Sequence, residues 1–393
     1  MHVVPFGSTC TLQNGRAFKP SEWSEIGTPI VRIQNLNDES KSFNYCNFEV
    51  EERFHIKTGD LLFSWSGTPG TSFGAFFWNR GKGFLNQHIF RVDMDESKVD
   101  KNYLRYAINS KLKFIIDQAH GGVGLKHITK GKLEAIKIPL PPLAEQKRIA
   151  DILDKADGIR RKRQQAIDLA DEFLRATFLD MFGDPVTNSK QLKTVTLGNL
   201  VSDKTDIVDG PFGSSINTKT DYIADGEIPV IRTKNVSTNG DFLSKDLKFI
   251  SNAKYETLKR SQVIPGDIVL TKVGTIGNVC IFPKAFPKAI LSTTGSCRIR
   301  INETMVNKLY FYYYLRFYKP KMIQAASAGA VQPFLNMKQI KDFYVPMPDR
   351  EQQQLFASYA SKIASLRSKF LLSDMAPLTN ALSQKAFAGQ LTV

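Results

Sequence analysis

At 393 residues, with 42% hydrophobic and 23% charged side chains, the chain is long enough for two or more cores and reads as an ordinary soluble globular protein. Its formal net charge of +15 points to a polyanionic partner, nucleic acid first. Cys10, Cys46, Cys280 and Cys297 show no short paired spacing, which argues against a zinc knuckle or a disulfide framework; with no export signal and no run of about 18 apolar residues, a cytoplasmic location with reduced thiols is expected.

In chain order, "DLLFSW" follows the Gly59 turn and predicts a short buried strand. Tyr103 to Ile116 has helical apolar spacing, and "IKIPLP" predicts a closing strand that ends at proline. From Glu145, apolar residues fall at Ile149, Ile152, Leu153, Ala156, Ile159, Ala166, Ile167, Ala170, Phe173, Leu174, Phe178 and Met181. Carried to Phe182 at ~1.5 Å per residue, this predicts a rod of about 57 Å that suits a coiled-coil arm. The pattern then starts again. "DIVLTKV" predicts a strand, Leu309 to Ile323 a helix, and "FYVPMP" a closing strand. The aromatic run "YFYYYLRFY" is read as core rather than as a base-stacking surface. A second long helix runs through Leu355, Tyr359, Ile363, Leu366 and Phe370, then Leu378, Leu382 and Phe387, with Pro377 dividing it into two pieces.

The restart is a tandem duplication. Gly59-Asp60 pairs with Gly266-Asp267 at an offset of 207, and the match runs without a gap to Pro141 and Pro348 through Gly67/Gly274, Gly70/Gly277, Arg91/Arg298, Tyr103/Tyr310 and Pro139/Pro346. Upstream, "TPIVRIQNL" answers "IPVIRTKNV" at an offset of 200; past the prolines, Glu145-Gln146 pairs with Glu351-Gln352 at 206. The order is globule, helix, globule, helix, and each globule reads as α+β. Neither rod can bury its apolar stripe alone, so the two are expected to pack on each other; the pattern leaves parallel and antiparallel open.

The sequence carries no recognisable catalytic signature. "HGGVGLKH" lacks the Lys-Ser/Thr end of a phosphate-binding loop, and "FGDPVT" is not a methyltransferase signature. Glu96-Ser97-Lys98 has no carboxylate partner on the right side for a nuclease, and His120 and His127 have no companion ligand for a metal. The chain is read as non-catalytic. Two related globules on a pair of helices then suggest a ruler that reads two short DNA sequences a fixed distance apart.

The sequence resembles the specificity (S) subunits of type I restriction-modification systems. The resemblance spans almost the whole chain and rests on "IPLPPLAEQKRIADILD", "FLDMFGDPVTN", "GDLLFSWSGTPG", "GDIVLTKVGTIG" and "LSQKAFAGQL" in this order. It implies two target-recognition domains (residues 1–142 and 184–348), each reading half of a split asymmetric site. They would be joined by a central helix (143–183) and a C-terminal helical region (349–393) packed as an antiparallel coiled coil. It further implies two modification subunits that bring S-adenosylmethionine, and a motor-nuclease subunit using ATP with Mg2+, while this chain binds no cofactor or metal. Competing readings are a specificity subunit of a type II restriction-methylation enzyme, a two-headed protein-protein scaffold, and an undetected nuclease.

Two domains on one scaffold should agree where structure is needed and differ where bases are read. Trp65 faces Lys272, and Asn86-Gln87-His88 faces Thr293-Thr294-Gly295. Gln and Asn suit adenine and Lys suits guanine, so Gln34, Asn86, Gln87, Lys234 and Lys272 are the base-reading candidates, with Trp65, Thr293 and Thr294 beside them. Arg32/Arg232 and Asn35/Asn235 are shared between the halves and suit either a phosphate contact or a structural hydrogen bond. Lys126 and Lys130 (with Lys132), and Gln332 in the matching loop, form a candidate phosphate clamp. The run Arg160-Arg161-Lys162-Arg163 would touch the DNA backbone or pair with acidic residues of a partner helix or subunit. Ile149, Ile152, Ala156, Ile159, Leu355, Tyr359, Ile363 and Leu366 are the expected positions for packing on a helix or a partner.

Overall fold

The computed structural model describes every residue except 1, 68–72, 123–124, 212, 214, 328–331, 373–374 and 391–393. The chain divides into two compact units, residues 1–164 with 373–393 and residues 165–372. Each globule thus takes helical segments with it.

Unit 1 holds two four-stranded sheets. In the first, strands Cys10–Asn14, Ile89–Met94, Leu61–Ser64 and Gly74–Phe77 lie side by side and antiparallel. In the second the order is Asn44–Cys46, Thr28–Val31, Gly83–Leu85, His55–Ile56, with Thr28–Val31 parallel to Gly83–Leu85. Strand Leu61–Ser64 is buried throughout because it is covered on both faces: Leu61 and Phe63 join Tyr103, Leu104 and Ile108, whereas Leu62 joins Trp78, Leu85 and Ile89. The expected helix is two, Lys101–Asn109 and Leu112–Gln118. Strand Lys137–Pro139 closes the globule by pairing with Val3–Pro5.

Unit 2 repeats this plan. Its sheets run Ile207–Asp209, Ser296–Ile299, Ile268–Thr271, Val279–Ile281 and Lys248–Ile250, Ile228–Ile231, Ala289–Leu291, Gln262–Val263, again with one parallel pair. Tyr344–Pro346 closes it against Thr194–Thr196. The aromatic run lies on helix Lys308–Ser327 and is core: Tyr310, Phe311, Tyr314 and Leu315 are fully buried. The hydroxyls of Tyr310 and Tyr314 donate to the carbonyls of Pro346 and Tyr344 at 2.6 and 2.9 Å.

The strand registers correct the gap-free match. Leu61 pairs with Phe77 and its counterpart Ile268 with Ile281, so the offset falls to 204 after this hairpin, which is shorter in unit 2. Ile30 pairs with Phe84 and Val230 with Ile290, giving 206; Ile89 opposite Ser64 and Ser296 opposite Thr271 restore 207. Length changes of opposite sign cancel between the flanking identities. The Gly70/Gly277 match cannot be placed on this register, because Gly70 lies outside the described residues.

The pairing of Gln146 with Gln352 is also corrected. Gln146 is buried; its side-chain oxygen accepts from the Asp100 N–H and its amide donates to the Pro141 carbonyl, both at 2.8 Å. Gln353 makes the same two bonds, at 2.8 Å each, with Asn307 and Pro348. The proline phrase occurs twice because each globule needs this bracket to fix the start of its helix. Replacing Gln353 by alanine is expected to destabilise unit 2 by about 1–3 kcal/mol, because a buried donor and acceptor lose their partners. Gln352→Ala, on the exposed side, is expected to leave the thermal midpoint unchanged; the two melting curves check this.

The central helix is continuous from Leu143 to Phe182 and ends at Gly183, whose φ of 75° suits a left-handed cap. The second helix is two, Arg350–Leu372 and Met375–Phe387, with Pro377 in the first turn of the latter, where its missing N–H costs least. In unit 2, Phe178 and Phe182 meet Phe356 while Asp171 meets Arg367, so the two helices run antiparallel there. In unit 1, Leu382, Ala386 and Phe387 share a core with Ile149, Ala150 and Leu153.

Of the expected packing positions, Ile149 and Ala156 are buried and Ile152 is half-buried, while Tyr359 and Ile363 pack partly buried on the unit 2 core. Ile159, Leu355 and Leu366 are each about half exposed (49%, 48% and 51%) and to that extent do not pack on another helix. On Arg350–Leu372 the buried face carries Gln353, Phe356, Ala357 and Ala360, one position round from the largest apolar residues. On the central helix no residue between 157 and 173 is buried.

Candidate nucleic-acid interface

Strand direction gathers most of the sequence candidates at one end of each unit. In unit 1, Thr28–Val31 and Gly83–Leu85 end together because they are parallel, and the Asn86 N–H donates to the Val31 carbonyl. Leu61–Ser64 ends beside the start of Ile89–Met94, and the Trp65 N–H donates to the His88 carbonyl. Lys126 arrives through its pairing with Gly67. Unit 2 builds the same end with the same bonds: Ser292 N–H to Ile231, and Lys272 N–H to Gly295 at 2.8 Å. Gly15 and Gly210 permit the crowding. A Cβ would lie 2.1 Å from the Asn86 carbonyl oxygen at the first and 2.0 Å from that of Thr293 at the second.

Here the two units differ in length and chemistry. Between the second-sheet strand and the next, unit 1 has Asn86–His88 whereas unit 2 has residues 292–295, one more. Gln34 is exposed, and its amide nitrogen lies 3.5 Å from the Ser42 carbonyl; its counterpart Lys234 is exposed, 3.9 Å from Asp246. Gln87 is exposed with its amide 3.2 Å from the His88 ring. Asn86 and Thr294 are half-buried, and Thr293 and Gln332 are exposed.

Asn35 and Asn235 are nearly or fully buried and saturated. Each accepts from the N–H of the preceding arginine, Arg32 or Arg232, and donates to two carbonyls of the following loop. This geometry matches the structural alternative. Arg32 donates to Asn44 at 2.9 Å and lies over the Trp23 ring, and Arg232 reaches the Asp246 carbonyl. Lys126 and Lys130 are tethered to the carbonyls of Ile116 (3.2 Å) and Leu12 (2.8 Å), leaving each ammonium spare donors at most. Arg160 and Arg161 pair with Asp157 of their own helix at 2.8 and 3.3 Å.

The sequence reading missed two residues at this end, His88 and Asp209. His88 stands edge-on to Trp65 at 5.3 Å, and burial, then Arg32, hold its pKa below the usual histidine value. Asp209 accepts from Lys272 and from Arg260. Lys272, one of the base-reading candidates from the sequence, is buried. A buried charge pair formed across 63 residues leaves no local pattern to read. Among the described residues no cluster of three or more His, Cys, Asp or Glu is placed to hold a metal, and no helix is long and apolar enough to cross a membrane.

The family described as "Type I restriction modification DNA specificity domain" matches residues 1–169 and 204–368. Over 420 aligned residues the chain is 27% identical to the EcoBI type I restriction enzyme specificity subunit of Escherichia coli, covering 99% of this chain and 86% of that protein. It is 26% identical to a MjaX specificity subunit of Methanocaldococcus jannaschii described as putative, covering 90% and 84%. In fold it is similar to the crystal structure of a type I S subunit from M. genitalium, with a TM-score of 0.61 at 15% identity over 98% of this chain and 96% of that one.

Proposed function

The chain belongs to the type I restriction-modification DNA specificity family, and from that premise we propose that each of its two units reads one half of a split, asymmetric DNA site. The observation that carries this is the doubled end described above: two copies of one backbone framework, hydrogen-bonded alike, that differ in loop length and in the exposed side chains. Shared backbone with divergent tips is what two readers of different sequences require. Gln34, Asn86 and Gln87 are the reading candidates in unit 1, with Lys234, Thr293 and Thr294 in unit 2. The +15 charge supplies salt-sensitive affinity for phosphates.

On this reading the chain contributes recognition and no catalysis. S-adenosylmethionine, and ATP with Mg2+, reside on partner subunits, namely two modification subunits and a motor-nuclease. The exposed Leu169, Phe173, Leu355 and Leu366 on the helices of unit 2 support a protein docking surface there.

Co-expression with the modification subunit, followed by single-molecule methylome sequencing of a plasmid, tests the proposal. Adenine methylation in one split asymmetric motif is expected. No new methylation from a verified, bound complex would contradict it, and a single fused nuclease-methylase recovered as the partner would move the chain to a type II system.

A further inference from the structure

At one position in the repeat the two units solve the same packing problem in opposite ways. The register places Asn14 opposite Phe90 and Asp209 opposite Cys297, and Trp65 and Lys272 each follow the matching central strand with the same backbone bond, to His88 and to Gly295. In unit 1 this place is filled by rings: Trp65 stacks on Phe90 at 5.7 Å and meets His88 edge-on. In unit 2 it holds charge. Lys272 is 5% exposed and its ammonium lies 3.4 Å from the Asp209 carboxylate, whose other oxygen accepts from Arg260 at 3.1 Å.

The fold does not need this ion pair, since the sister unit closes the same place with an indole. Replacing a buried ion pair by packed apolar groups is often neutral or stabilising, so an ion pair kept here calls for a reason other than stability. Its surroundings supply one. The pair floors an open cleft of about 280 Å³ whose walls include Val273, Thr294, Phe334 and Asn336, with Phe334 half exposed. An ammonium carries three donors, and among the described residues Asp209 takes one. Unit 1 shows the same shortfall at the same place, because Trp65 Nε1 and His88 Nδ1 are buried with no partner among the described residues.

We propose that Lys272, held by Asp209, is a base-reading group of unit 2 beside the exposed candidates: it offers its remaining N–H donors to a base edge rich in acceptors, the O6 and N7 of guanine, while Asp209 acts as the positioning residue. Asp209 keeps the ammonium from swinging to a phosphate, which would carry no sequence information. This rests on the proposed function and names the group that fixes one base of one half-site.

The test uses the chain in complex with its modification subunits and reads the methylated motif. Lys272→Met leaves Asp209 paired with Arg260 and so keeps the buried carboxylate compensated. The expected result is an unchanged first half-site and spacer, with loss of discrimination at a single guanine of the second half, roughly 5- to 150-fold in relative methylation. Lys272→Gln, which also covers a failure of the methionine variant to fold, is expected to shift preference at that same position toward adenine. Asp209→Asn is expected to relax the same position and no other. A wild-type complex with no split motif would overturn the underlying reading. A split motif that both Lys272 variants leave unaltered would overturn this assignment alone.

Discussion

Replacing Phe178 by alanine is expected to lower the stability of unit 2 by about 3–5 kcal/mol, the cost of removing a buried aromatic ring and leaving a cavity. Phe178 is 1% exposed and meets four rings: Phe182 at 5.0 Å, Tyr310 at 5.7 Å, Phe317 at 5.1 Å and Phe356 at 5.4 Å. These belong to the central helix, the tyrosine-rich helix and the helix Arg350–Leu372, so one side chain ties three elements together. For a unit of this size the loss corresponds to a fall of roughly 6–20 °C in its thermal midpoint. Phe173→Ala, five residues earlier and half exposed, is expected to stay within about 0.5 kcal/mol. Equal midpoints for the two variants would show that the aromatic cluster is not the keystone of the unit.

Unit 2 is also expected to lose stability steeply above about pH 9. Burial pushes the thiols of Cys280 and Cys297 from an ordinary value of 9.0 up to about 12. Between these values the unfolded chain releases both thiol protons while the folded chain keeps them. Their contribution is therefore intact below pH 9 and is lost as pH rises toward 12. The slope is about 1.4 kcal/mol per pH unit for each thiol, on the order of 4 kcal/mol apiece at the upper end. The phenols of Tyr310, Tyr312 and Tyr314, raised by the same burial, add to the loss above pH 10. Urea unfolding across pH 8–11 checks this: Cys280→Ala should make the decline shallower, and a flat profile in the unaltered protein would contradict the burial.

Much of this architecture was legible in the sequence because it is written in periodicity. The duplicated strands, the proline-ended closing strands, the 40-residue helix and the break near Pro377 all follow from apolar spacing and from the geometry of proline. What could not be read depends on long-range placement. Identities at both ends of the repeat hid length changes that cancel, and the strand registers expose them. The strongest apolar residues at 3-4 spacing, Leu355 and Leu366, are not the buried ones, because Phe356, Ala357 and Ala360 face the core. Asn35 and Asn235 look alike as surface amides or as turn brackets until their bonds to the loop carbonyls are seen. Lys272 and Asp209 meet only in three dimensions.

The two units differ where bases would be read and agree where the backbone is built, so recognition should be separable by unit. The most direct measurement is methylome sequencing after residues 1–142 are exchanged for the corresponding domain of another member of the family, with residues 184–348 left untouched. The account predicts a hybrid motif in which one half-site and only that half changes, while the second half is preserved base for base. A change in both halves would contradict it.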